Sequence, residues 1–507
     1  MENAVAIGRL DNAQESLSSE NPGPSRIRRA KLIKKLPGMA IVMFAVVNGG
    51  LLVAGAGGLD RVTFLITSLL TGCILCAVDA PLYVEFTLAL WMFAPFIRRM
   101  ADYEAGFREP SLFLLVPFLV TLISAFRLRG LLRPRTRGLI LPLALIACAL
   151  LLGINVGLVN GEISRTTQAI VNWVTPICFG LYIAQLYPEY PQLKFAIQRT
   201  LLIGGFIIGV YGLYQFLVAP AWDCAWMKNI YIDLVPPSFG QPEPLAIRVF
   251  STLNSPGVLS TYLMVILSIA VSQGGWKGLC VAGPVAISFL LSQDRTAWIG
   301  WLITMLSLLL LPAKATAATL RRRVLWIIAS VAVVGSFLLF TPPFDQIVEQ
   351  RLDTMSALDK DGSVAERIGE YKWVLAYMER EPLGMGIVSA PAFNRMPVDG
   401  GPMHLLLSYG WPGAVLFSAG VATLFFFMIL TPVPSDTLAA TARAIIFGLS
   451  FQFLSGNVLI GAQGLLFWGC LGIFFSSTYY RAWDRKRASL KTVRATTPLQ
   501  SAAVVQS

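Results

Sequence analysis

Apolar runs separated by short polar punctuation recur along the chain from about residue 38 to residue 480. Many are long enough to cross a hydrocarbon core of about 30 Å as helices. Runs such as 112–126 and 139–152 are apolar on nearly every face, whereas a soluble amphipathic helix carries a polar stripe. The pattern predicts about fourteen spans, near 38–56, 62–78, 81–98, 111–127, 138–157, 167–187, 198–218, 257–274, 277–293, 296–312, 323–341, 404–430, 442–457 and 461–480. The expected fold is all-α, a polytopic membrane helix bundle of about 12–14 transmembrane helices.

Composition agrees with this pattern. Of the 507 residues, 55% are hydrophobic and 13% charged, against about 25% charged in soluble domains. Forty Lys and Arg against 28 Asp and Glu give a net charge of +12. The basic residues gather in short segments between apolar runs: Arg26, Arg28, Arg29, Lys31, Lys34 and Lys35, then 127–137, 321–323 and 481–487. That is the positive-inside signature, and no nucleic-acid partner is expected. A polar tail, 1–37, is expected to be disordered and cytoplasmic, with no cleavable signal peptide, ahead of a bundle spanning 38–480 and a basic cytoplasmic tail, 481–507. Alternate crossing then places all four basic clusters inside, while the loop holding Arg98 and Arg99 falls outside as an exception. The same counting puts two long loops, 219–256 and 341–403, on the outer face, the second just before the third-last span. Loops of this length suit lids or sites. Seven cysteines give no disulfide framework: Cys73 and Cys76 form a C-x-x-C inside an apolar run, and only Cys224 falls in a loop.

Candidate chemistry collects in three segments expected at the outer face. The first is 248–257, R-V-F-S-T-L-N-S-P-G. The second is 292–298, S-Q-D-R-T-A-W. The third runs from Arg367 through E-P-L-G-M-G (381–386) to Asp399 and His404, ending in Y-G-W-P-G (409–413). Arg248, Arg295 and Arg367 are candidates for an anion clamp, because guanidinium matches phosphate bidentately and stays charged. Snorkelling, or pairing with Asp294 or Glu366, is the competing structural role. His404 is the only histidine and suits a general base for a hydroxyl nucleophile. Asp399, in a Gly-rich turn, is the other candidate base. The G-x-G of Gly384 and Gly386 lacks the strand–helix context of a dinucleotide site. With no Walker loop, no outer D-x-D pair and no metal-ligand cluster, neither a cofactor nor a metal is expected.

Together these segments resemble the O-antigen ligase and O-antigen polymerase superfamily of bacterial envelope proteins. Residues 248–257 look like the family's arginine and G-T-F-x-N-P-N element, and 292–298 like its S-x-S-R-x-A-W helix mouth. Residues 367–386 resemble its R…W…P-x-x-G-x-G stretch, and 409–413 its G-x-x-G helix. The resemblance covers roughly the second half of the chain. It implies metal-independent transfer of a glycan from a polyprenyl-pyrophosphate-linked oligosaccharide donor to a glycan or lipid acceptor, at the outer face of the bacterial inner membrane. Pyrophosphate would bind Arg248, Arg295 and Arg367, and other polysaccharide assembly proteins would be partners. The family's His-Asn position falls on Asp399 by register and on His404 by residue type, and no Asn follows His404. This departure favours the polymerase-like branch that builds exopolysaccharide or O-antigen chains. A transporter or a non-catalytic subunit of envelope polysaccharide export is the alternative.

Overall fold

A computed structural model describes residues 24–55, 57–132, 137–230, 239–310, 321–325, 362–388, 392–393, 396–398, 400–432 and 436–496. Helices dominate them. The first four are α1 (Pro24–Val53), α2 (Gly57–Val78), α3 (Ala80–Ala105) and α4 (Leu112–Leu122), the last continuing as a 3₁₀ turn. Next come α5 (Ile140–Val159), α6 (Ile163–Gln185), α7 (Tyr190–Val218), α8 (Ala221–Ile230) and α9 (Pro256–Gln273). The remainder are α10 (Gly275–Leu291), α11 (Arg295–Leu310), α12 (Gly362–Arg380), α13 (Gly401–Leu430), α14 (Thr437–Gln452) and α15 (Gly461–Thr496). Among the described residues an antiparallel strand pair, Ala392–Phe393 with Met396–Pro397, and an isolated antiparallel bridge between Gly240 and Ile247 interrupt the helical order.

Eight of the described helices are long and apolar enough to cross a membrane, and three shorter apolar helices accompany them. The protein is thus a multi-pass membrane helix bundle, as the hydropathy pattern predicts. Every expected span coincides with a described helix except the one near 323–341, which lies almost wholly outside the described residues. Large apolar side chains such as Val46, Phe195, Leu279 and Val415 stand exposed on the bundle's surface, as lipid-facing positions do. The interior pairs α13 with α5, α15 with α6, α11 with α14 and α10 with α7. Small residues permit the closest approaches: a Cβ on Gly448 of α14 would lie 2.3 Å from the Gly300 carbonyl of α11.

Helix also extends into the segments flanking the apolar spans. Helix α1 begins at Pro24, inside the segment expected to be a disordered tail. Likewise α15 runs to Thr496, so residues 481–496 continue a helix. Continuing a helix formed by the neighbouring span avoids the nucleation cost that an isolated basic segment would face. The loop 219–256 is also not all irregular: α8 packs Trp226 and Met227 against Ile247 and Phe250.

A cavity of about 1410 Å³ opens around Asp79, Arg127, Glu189 and Arg199. It lies at the N-terminal end of α3, about 30 Å along the helix from Arg99 at the other end, and so apart from the candidate segments.

Candidate functional site

The site is built on the C-terminal end of α3. Arg98 pairs with Asp102 at 3.0 Å and with Glu109 at 2.6 Å, and Arg61 of α2 joins Asp102 at 3.0 Å. Arg99 is wholly buried and forms an ion pair with Asp223 of α8 at 2.9 Å. Its guanidinium donates to the carbonyls of Ser251 and Leu253 and, at 3.0 Å, to Asn254 Oδ1. It also lies 4.9 Å from the Phe250 ring centre and 5.6 Å from that of Trp226. Asp223 accepts from Tyr211 Oη (2.8 Å) and Gln215 Nε2 (2.6 Å) of α7. Gln215 Oε1 in turn accepts the backbone N–H of Phe250 and Ser251 at 2.9 and 2.7 Å. Residues 250–254 are therefore held through both their amides and their carbonyls. Arg98 and Arg99, the exception to the expected charge pattern, are internal groups paired with carboxylates.

That held segment presents Arg248 to the turn between α10 and α11. Arg248 Nε donates to Ser292 O at 2.6 Å and Nη2 to Gln293 O at 3.4 Å. Asp294 Oδ1 accepts from Thr296 N, Thr296 Oγ1 and Ala297 N at 3.1, 2.7 and 3.3 Å. It is thus the side-chain cap at the start of α11. Its other oxygen accepts from Ser260 Oγ of α9 at 2.5 Å. Arg295, the first residue of α11, is partly buried immediately beside this cap.

His404 stands in the first turn of α13, whose Gly401 N–H donates to Phe453 O at 3.1 Å. Its ring is buried, with Nδ1 3.0 Å from Asn457 Nδ2 and 3.3 Å from Ser408 Oγ. The Trp173 ring of α6 lies 5.9 Å away, centre to centre. A polar chain carries the α14–α15 connection back to α9. Gln463 Nε2 donates to Thr261 Oγ1 (2.8 Å) and Gly257 O (3.3 Å), and Thr261 Oγ1 donates to Gln452 Oε1 (3.3 Å). The N-termini of α9, α11 and α13 are therefore tied into one polar cluster.

The G-x-G segment serves packing. Helix α13 breaks at Gly410, with φ +62° and ψ −177°, and residues 382–387 fill the break. Met385 N donates to Leu407 O (2.8 Å), Trp411 N to Pro382 O (2.9 Å), and Ile387 N to Gly153 O of α5 (2.9 Å). A Cβ on Gly384 would lie 2.5 Å from Leu407 O, and one on Gly386 2.2 Å from Gly157 N. Glycine is required there by contact, with no nucleotide role. Upstream, α12 buries Val374 and Met378 against Val398 and Leu407. Burial and the adjacent Glu381 carboxylate raise the Tyr377 hydroxyl pKa above its ordinary value.

Of the sequence-predicted residues, Arg248 is bound to the turn that delivers Arg295, while His404 stands on α13 with Asn457 and Ser408 as its polar partners. Arg367 lies in the first half of α12. Asp399 lies outside the described residues. The sequence reading missed Arg99, Gln215, Asp223 and Asn457. Arg99 had announced itself only as a topological exception; for Gln215 the signal available was an amide inside an apolar run.

These features define a multi-pass membrane protein with a polar site where three helices begin. Residues 280–418 match the model of the O-antigen ligase family. Over that segment the resemblance to the O-antigen ligase superfamily is borne out; the 248–257 element lies just upstream of the match. No match was found among curated proteins.

Proposed function

We propose that this protein is a membrane glycan transferase that polymerises or ligates O-antigen or exopolysaccharide units at the outer face of the bacterial inner membrane. The donor is an oligosaccharide on a polyprenyl pyrophosphate, and the acceptor is a glycan or lipid hydroxyl. The observation that supports this reading is the joining of the α9 and α11 N-termini through Ser260 and Asp294, with Arg248 bound to the turn before Arg295. Helix N-termini and guanidinium groups favour anions. Charge that develops on the leaving pyrophosphate as the glycosidic bond breaks is stabilised by such groups. The acceptor oxygen bonds to the anomeric carbon, the carbon–pyrophosphate oxygen bond breaks, and the acceptor proton passes to a base at Asp399 or His404. Arg367, on α12, is the third arginine assigned to the pyrophosphate. The lipid tail of the donor finds apolar surface along the bundle.

The test is a deletion strain complemented with Arg248→Ala, Arg295→Ala, Asp399→Ala or His404→Ala at matched expression, with envelope glycan length read on a gel. Loss of one oxyanion-type contact is expected to lower turnover by about 10²–10³. Single-repeat lipid-linked products identify a polymerase, and long unattached chains a ligase. Normal glycan in all four variants overturns the catalytic reading in favour of transport or scaffolding.

A further inference from the structure

We infer that Asn457 fixes His404 as a neutral imidazole protonated at Nε2, so that His404 enters the transfer as a hydrogen-bond donor and not as its general base. The second half of this statement rests on the proposed function. The first half is a property of the ring alone.

The argument starts at Asn457, whose two amide atoms have different partners. Its Oδ1 accepts the backbone N–H of Leu459 at 3.1 Å. A flipped amide would set its NH₂ against that N–H, so the orientation is fixed. The group facing His404 Nδ1 at 3.0 Å is therefore the Asn457 NH₂, which donates and does not accept. Nδ1 must then be the acceptor. A proton on Nδ1 would bring two N–H donors face to face across that distance. The remaining close group, Ser408 Oγ at 3.3 Å, sits one helical turn along and is able to donate to the same nitrogen. Trp173 supplies an aromatic wall. Among the described residues no carboxylate hydrogen-bonds to the ring. With His404 only 6% exposed, a second proton would place charge on a ring that burial has largely removed from solvent.

The consequence for chemistry is a reversal. In a His–Asp dyad the carboxylate accepts from one ring N–H and leaves the other nitrogen unprotonated, which makes it a base. Here an amide donor occupies the orienting position, so the other ring nitrogen keeps its proton. An Nε2–H can donate to a sugar hydroxyl or a phosphate oxygen of the donor, but it cannot take the acceptor's proton. That proton then goes to another group, and Asp399 is the remaining candidate. Asn457 is a positioning residue: it acts on the reaction through the tautomer of His404.

The experiment uses the fact that the chain contains a single histidine. Full-length protein, purified on a tag without histidine and labelled with ¹⁵N-histidine, gives one imidazole spectrum. The expected result across neutral pH is an unprotonated Nδ1 and a protonated Nε2. In Asn457→Asp the two nitrogens should exchange character. A wild-type ring carrying Nδ1–H, or doubly protonated at neutral pH, overturns the inference without reference to activity or to any variant's folding. Glycan formation supplies the second arm. His404→Gln retains a donor but no base, and is expected to keep activity within about tenfold of wild type, while His404→Ala loses about a hundredfold. Asn457→Asp is expected to lose about tenfold or more. If His404→Gln is as inactive as His404→Ala while Asn457→Asp is as active as wild type, His404 is the base and the donor role is overturned. If no variant alters glycan while the spectrum shows Nε2–H, the tautomer assignment stands and the transfer reading falls.

Discussion

Arg99 has no exposed side-chain surface, yet it touches a carboxylate, two carbonyls, an amide oxygen and three aromatic rings. Guanidinium suits this place because its planar fork offers five donors in fixed directions and stacks on rings. Arg99→Ala leaves Asp223 as an uncompensated buried charge, which costs about 3–5 kcal/mol. It also releases the carbonyls that hold 251–253. We expect a large drop in the melting temperature of the detergent-solubilised protein, together with loss of glycan product. The double variant Arg99→Met with Asp223→Leu should recover much of the stability, because replacing both charges removes the orphan, but not the activity, because residues 251–254 stay unanchored. Equal stability of Arg99→Ala and wild type would show that the ion pair is dispensable. At this scale the sequence identified charge-bearing residues but not their partners. Asn457 lies 53 residues from His404, and no local pattern links them.

Among the elements, α13 shows how an apolar helix becomes part of a site. Its break at Gly410 exposes Leu407 O and Trp411 N, and the chain at 382–385 satisfies both. Unmet backbone groups are costly in an apolar surrounding, so the break and the filling segment require each other. Gly410→Ala meets two obstacles. Its φ and ψ lie in a region essentially reserved for glycine, costing about 1–3 kcal/mol. A Cβ would also stand 2.4 Å from Pro382 O. The expected outcome is a protein that still inserts and expresses but melts several degrees lower, with glycan formation reduced at least about tenfold as residues 382–386 are displaced. An unchanged melt and product ladder would mean that the segment tolerates displacement. Helix positions were legible from hydropathy alone, because crossing a membrane demands long apolar runs. The break at Gly410 was visible only as a Gly-x-Pro in such a run, and its purpose depends on a segment some 25 residues earlier.

For the whole molecule, the proposal that the site faces outward can be checked directly. In a cysteine-less background, Glu243→Cys lies at an exposed position between α8 and α9, and Lys486→Cys at an exposed position near the end of α15. We expect a membrane-impermeant maleimide to label Glu243→Cys in intact cells, and Lys486→Cys only after permeabilisation. The reverse pattern would invert the bundle and remove the site from the outer face. By itself the sequence determined the all-helical multi-pass architecture, the approximate position of each described span and the superfamily of the 280–418 segment. These rest on properties local to the chain: the length of apolar runs and the order of short motifs. The ion pairs that neutralise Arg98 and Arg99 inside the bundle emerge from the packing of the helices. The tertiary structure also showed that Arg248 binds the turn before Arg295, that the G-x-G packs into a broken helix, and that Asn457 meets His404. The physical reason is that buried charges and broken backbone must find partners, and in a helix bundle those partners come from neighbouring helices remote in sequence.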